Sequence, residues 1–223
     1  NRVVLRDLTV RNGYQYDYAD PNGQSTCCGA GANIFYGMID NCIFENCHAV
    51  AKRSGLAARG GAIFAQIALI TNCTFRSCSV SSATARADGG AIDSVNGGSN
   101  YGFTLADSVF SNCVATAEST ANSCFASGGA VYNGPGGSVT HIVCTDCVAT
   151  NTAGWNGYYH AAGGAVSGGS VTDSLFVNCL SYGEGGAFSA NGGTISNCTF
   201  VGNRTVGPAG GGNGGAAVAK YAY

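Results

Sequence analysis

Residues 60–78 read "GGAIFAQIALITNCTFRSC": a glycine pair, a short apolar run, and a second run with one cysteine inside it and another at its end. The second half recurs along the chain. Its copies are "LRDLTVRNG" from Leu5, "IDNCIFENC" from Ile39, "ITNCTFRSC" from Ile70, "LADSVFSNC" from Leu105, "VTHIVCTDC" from Val139, "VTDSLFVNC" from Val171 and "ISNCTFVGN" from Ile195, with starts 34, 31, 35, 34, 32 and 24 residues apart. The glycine half keeps step, as "GANIF" from Gly31, "GGAIF" from Gly60, "GGAID" from Gly89, "GGAVY" from Gly128, "GGAVS" from Gly163, "GGAFS" from Gly185 and "GGAAV" from Gly214. After each cysteine-ended run comes a variable Ala/Ser/Thr/Gly segment, read as a loop. A unit of about 30 residues with two or three short strands and no helix cannot bury its apolar face alone, so it has to stack on its neighbours.

Composition points the same way. The 223 residues include 36 glycines and only 10% charged residues, and no run of a dozen residues has an apolar stripe at helical spacing. The 45% apolar content is nevertheless enough for a core, which argues against disorder. A net charge of -2, with scattered Lys and Arg, argues against nucleic acid as a partner. No apolar run approaches the roughly 20 residues of a membrane span. The chain starts "NRVVLRDLTV", without an initiator Met or an apolar leader, and reads as a processed protein or a segment of a longer one.

Stacking predicts an all-β chain, one parallel β-helix (solenoid) domain over residues 1–223 with about seven coils of about 30–35 residues. Coils about 4.8 Å apart place equivalent residues in columns. Three columns are apolar: Leu5, Ile39, Ile70, Leu105, Val139, Val171, Ile195; Val10, Phe44, Phe75, Phe110, Cys144, Phe176, Phe200; and Ile34, Ile63, Ile92, Val131, Val166, Phe188, Ala217. Glycine pairs belong where the backbone turns with positive φ or passes too close to a neighbour for a Cβ.

The alternating GGA[IVF] and Phe-x-x-Asn tetrapeptides resemble the repeats of the polymorphic outer membrane proteins of chlamydial autotransporters, over nearly the whole chain. That resemblance implies the right-handed parallel β-helix of the pectin-lyase-like class. "FVGN", Phe200 to Asn203, keeps the repeat asparagine, whereas Cys47, Cys78, Cys113, Cys147 and Cys179 stand in its place elsewhere.

Twelve cysteines suggest an oxidising compartment. Cys47, Cys78, Cys113, Cys147 and Cys179 share a column whose axial neighbours lie within the Cα separation a disulfide tolerates, and Cys42 and Cys73 form a second such pair. With Cys27, Cys28, Cys124, Cys144 and Cys198 they are disulfide candidates that would staple coil to coil. The alternatives are a column of small buried apolar residues and metal binding. "CTDC", Cys144 to Cys147, is a lone CxxC, so no metal or cofactor is expected.

Sequons at Asn72, Asn197 and Asn203 make these glycosylation candidates. Asn72 and Asn197, however, share a column with Asp7, Asn41, Asp107, His141 and Asp173, where turn residues that bond to neighbouring coils are expected. Polysaccharide cleavage needs paired carboxyl groups. The acids Asp7, Asp40, Asp107, Asp146 and Asp173 fall at turns, Asp93 is read as outward and solvated, and His48, His141 and His160 are isolated. The chain is therefore read as a non-enzyme, with no catalytic residue assigned. Tyr14, Tyr16, Tyr18, Trp155, Tyr158 and Tyr159 are candidate contacts for a glycan or a partner.

The first strand is of the Ile/Leu type and the last of the glycine type, so one molecule's end offers what another's beginning requires. The sequence as a whole predicts an extracellular or cell-surface structural protein, a head-to-tail homopolymer forming a filament, sheath or appendage. A glycan- or receptor-binding adhesin module is the alternative, and a polysaccharide lyase or hydrolase a weaker third.

Overall fold

The computed structural model describes residues 2–17, 27–53, 55–94, 102–119, 125–134, 136–152, 161–191, 193–207 and 214–220. These form a parallel β-solenoid of about six turns without a helix. Each of the first five coils contributes one strand to each of five sheets, and every strand pair is parallel. The first sheet stacks Val3–Arg6, Gly37–Asp40, Ala68–Thr71, Thr104–Ala106, Ser138–Thr140, Ser170–Thr172 and Ile195–Ser196. The second stacks Thr9–Arg11, Ile43–Glu45, Thr74–Arg76, Val109–Ser111, Val143–Thr145, Leu175–Val177 and Thr199–Val201. The fifth runs from Ala32–Ile34 through Ile63–Ala65, Ile92–Ser94, Val131–Tyr132, Val166–Ser167 and Phe188–Asn191 to Ala217–Lys220.

The third and fourth sheets occupy the segments read from sequence as loops. The third runs from Tyr14–Tyr16 through His48–Ala51, Ser79–Ser82, Val114–Ala117, Val148–Asn151 and Leu180–Ser181 to Arg204–Thr205; the fourth stacks Cys27–Cys28, Ala58–Arg59, Ala87–Asp88, Ala126–Ser127 and Ala161–Ala162. Their inward residues form a small second core, with Ala49, Val80, Ala115 and Ala149 on one side and Ala58, Ala87, Ala126 and Ala161 on the other. Methyl-sized side chains let these two sheets approach closely, so apparently featureless sequence still makes a dry seam.

The first two apolar columns are present rung for rung: Leu5 pairs with Ile39 and Val171 with Ile195, while Val10 pairs with Phe44 and Phe176 with Phe200. Phe44, Phe75 and Phe110 stack with centroids 5.2 and 4.7 Å apart and interplanar angles of 5° and 3°. The third column is corrected at its first rung. Ile63 pairs with Ala32, and Ile34 lies opposite Ala65. Gly29, at φ 61°, therefore matches Gly60, and the first glycine corner starts two residues before the Gly31 expected from sequence. A shift of two keeps side chains on the same face, so Ile34 remains buried.

Three corners per coil use left-handed backbone. At the first, between the first and second sheets, Asp7, Asn41, Asn72, Asp107, His141, Asp173 and Asn197 have φ of 50–56°. At the second, between the second and third sheets, Asn12, Asn46, Ser77, Asn112, Asp146 and Asn178 have φ of 52–56°. These are mostly Asn and Asp, whose short polar side chains tolerate this conformation. The third is the glycine pair. Gly89 turns at φ 64°, and a Cβ on Gly90 would lie 1.9 Å from the Gly129 carbonyl oxygen of the next coil.

That geometry yields a test. Gly90→Ala should destabilise by about 1–3 kcal/mol or more through overpacking against backbone. Gly215→Ala, whose added methyl meets nothing closer than 4.0 Å, should stay within about 0.5 kcal/mol. Equal urea-unfolding midpoints for the two variants would refute the close-approach argument.

Candidate functional site

At the first corner the residue directly after the left-handed one is a hydrogen-bonding cap in five coils, as Cys42, Cys73, Ser108, Ser174 and Cys198, whereas Leu8 and Ile142 are apolar. Cys42 and Cys73 direct their thiols to the carbonyls of Asp40 (3.3 Å) and Thr71 (3.0 Å). Ser108 and Ser174 donate to Ala106 and Thr172 at 2.7 Å each, and accept from the backbone N–H groups of Cys73 and Ile142 in the preceding coil. Cysteine and serine thus do one job: satisfying the carbonyl two residues back as the chain turns.

At the second corner the buried column is Cys47, Cys78, Cys113, Cys147 and Cys179, with Asn203 above them. Asn203 shows what the repeat asparagine does. Its Oδ1 accepts from the Cys179 N–H at 2.8 Å and its Nδ2 donates to the Phe176 carbonyl at 2.9 Å, linking two coils. The cysteines make the weaker equivalent, with Cys78 Sγ 3.6 Å from the Phe44 carbonyl oxygen and Cys179 Sγ 3.7 Å from that of Cys144.

All eleven described cysteines are free thiols: Cys27, Cys28, Cys42, Cys47, Cys73, Cys78, Cys113, Cys144, Cys147, Cys179 and Cys198. The expected coil-to-coil disulfides are absent among the described residues, and Cys124 lies outside them. Each thiol of the column is instead turned towards the carbonyl two residues back, those of Glu45, Arg76, Ser111, Thr145 and Val177, at 3.5–3.6 Å.

Burial pushes the Cys27 thiol up to about 11 and that of Cys73 to about 12. Within the column, donation to Cys78 and then burial raise Cys47, whereas burial comes first for Cys113. The neighbouring Cys113 and Cys47 thiols pull Cys78 down, and those of Cys113, Cys144 and Cys179 pull Cys147 down. Among the described residues no group of three or more His, Cys, Asp or Glu could hold a metal ion.

The three sequons differ. Asn72 and Asn197 are exposed corner residues whose Nδ2 atoms donate to Asp40 and Asp173 of the coil before, whereas Asn203 bonds into the interior. Those bonds hold the Asp40 and Asp173 carboxyls below their usual range. Tyr14 and Tyr16 are exposed on the first coil's third-sheet strand. Tyr18, Trp155, Tyr158, Tyr159 and His160 lie outside the described residues. His48 Nδ1 lies 2.8 Å from Ser79 Oγ, and His141 occupies a left-handed corner.

Asp93 requires correction. It is 0% exposed, as is Asp88, and both belong to a charged cluster on the flank where the fourth and fifth sheets meet. Arg86 Nη2 donates to Asp88 Oδ1 at 3.3 Å; its Nε lies 2.9 Å from Oδ2, a charge contact in which the N–H is not aligned on the oxygen. Arg59 Nε stands 3.8 Å from Asp93 Oδ2, and neither Asp93 oxygen has a hydrogen-bond partner. Arg86 also lies over the Tyr132 ring, 5.4 Å from its centroid. Desolvation is the largest influence on both acids and raises them, and the Asp88 charge raises Asp93 further. Sequence alternation missed this because fifth-sheet strands such as Ile92–Ser94 are buried on both faces.

Beside this cluster lies a cavity of about 310 Å³ bordered by Arg86, Ser127, Tyr132, Ser167, Glu184 and Ser189. Comparison of the chain with protein-family models, curated proteins and solved structures finds no match in any of the three. No helix among the described residues is long and apolar enough to cross a membrane.

Two outcomes follow. A carboxyl whose folded pKa lies above the unfolded value near 3.9 stabilises the fold below that value and loses this as pH rises through the folded pKa. The melting temperature should therefore fall from mildly acidic pH towards neutrality, and Asp93→Asn should flatten the slope; an unchanged slope in the variant contradicts the assignment. In the native protein the described thiols should resist alkylation, with partly exposed Cys198 reacting first, and become labelled on unfolding. Mass spectrometry finding most of them bridged would overturn the thiol ladder.

Proposed function

We propose that the chain is a structural module of a cell surface, a solenoid rod extended by stacking further coils end to end. One observation carries this reading: among the described residues, four of the five sheets run through all seven rungs and end, at both faces, in a strand paired on one side only. The end rungs are also the place where the core columns lose cover. Leu5 and Val10 at one face, and Ile195, Phe200 and Ala217 at the other, are only partly buried against the core, whereas Ile39, Phe44, Val171 and Phe176 are fully enclosed. A coil carrying the same repeat fits either face in register, whether it comes from adjoining sequence or from a second copy. Resemblance of the GGA[IVF] and Phe-x-x-Asn repeats to chlamydial surface autotransporters supports both the cell-surface location and a right-handed, pectin-lyase-like coil. Buried thiols fill a column here without disulfides, so the cysteine content lends that location no weight.

Sedimentation and negative-stain electron microscopy of the 223-residue chain test the self-stacking form. Rods one solenoid wide, lengthening with concentration, are expected, and Phe200→Asp should shorten them by placing a charge on the end face. A monomer at the highest attainable concentration would overturn stacking between copies.

A further inference from the structure

The cavity beside the charged cluster takes its lining from successive coils of the solenoid. Tyr132, Ser167 and Ser189 are successive rungs of one fifth-sheet column, so the side chains on its wall repeat at the coil spacing of about 4.8 Å. The wall chemistry is specific. Ser127, Ser167, Ser189 and Tyr132 supply hydroxyls that both donate and accept, Arg86 a guanidinium and Glu184 a carboxylate, with no large aliphatic side chain among them. A volume of about 310 Å³ lies at the small end of ordinary ligand sites.

We propose that this cavity binds a short neutral oligosaccharide lying along the axis, successive sugar rings meeting successive rungs. A row of hydroxyls at a fixed interval matches a ligand whose own hydroxyls repeat. A peptide would instead need apolar pockets for its side chains or a free strand edge. Charge selects against acidic glycans: Asp88 already engages the Arg86 guanidinium, and Glu184 adds a negative wall. The site binds without cleaving. Glu184 is the sole carboxylate among the described lining residues, while Asp88 and Asp93 are buried behind them, and glycoside hydrolysis takes two facing carboxyl groups. This site is separate from the end faces that stack, so the two proposals stand or fall independently.

A glycan array carrying neutral and acidic oligosaccharides, followed by calorimetric titration with the best neutral ligand, tests it. Retention of a neutral oligosaccharide is expected. Ser167→Leu, which fills the cavity, and Tyr132→Phe, which removes one hydroxyl and keeps the ring, should each weaken binding at least about tenfold, roughly 1.4 kcal/mol. Thermal melting serves as the control that each variant folds. Failure to retain any neutral glycan, preference for a polyuronate, or unchanged affinity in a folded Tyr132→Phe variant would overturn the proposal.

Discussion

Register between coils is the constraint on which the rest of this molecule depends. A parallel ladder fixes each residue above its equivalent one turn earlier, and this chain enforces the match at three left-handed corners per coil. Two use mostly Asn or Asp, and one uses a glycine that turns followed by a glycine that lets the next coil's carbonyl oxygen pass. With those corners set, the Phe stack and the Ile/Leu/Val columns need no further specification. The ladder also sets the aromatic rings nearly parallel, at centroid separations that suit offset stacking.

The corners also explain the cysteines. Cys and Ser recur at one corner, and Cys and Asn at the other, because each can offer hydrogen to a carbonyl that the turn exposes. The thiol does this weakly but fills the space with apolar volume. Cysteine here is a core residue with a modest polar duty, and the buried thiol column follows from stacking that choice five coils deep.

Legibility in the sequence followed side-chain size and contrast. Leu5, Phe44 and Ile70 could be placed because large apolar residues recur among polar ones, and the fold class followed from them. The third and fourth sheets could not, because Ala49, Ala58, Ala87 and Ala115 look like loop filler and their burial depends on a neighbouring sheet no local pattern announces. The first glycine corner slipped by two because "GAGAN" offers two equivalent places to start. Asp93 was misread for a related reason: alternation identifies an outward residue only where the outer face meets water, and here the strand is covered on both sides. The hydroxyl-lined cavity was invisible, since its wall gathers residues from several coils that lie far apart in sequence.

The short interval between the last two copies, 24 residues instead of 31 or more, coincides with a rung where the fourth sheet shrinks to a single bridge between Ala162 and Glu184. The first, second and fifth sheets continue past it undisturbed. Each turn therefore has a compulsory portion and an optional one, and side decoration can be trimmed or enlarged without breaking the shaft. Gain or loss of a whole turn would change the length of such a solenoid while leaving its cross-section intact.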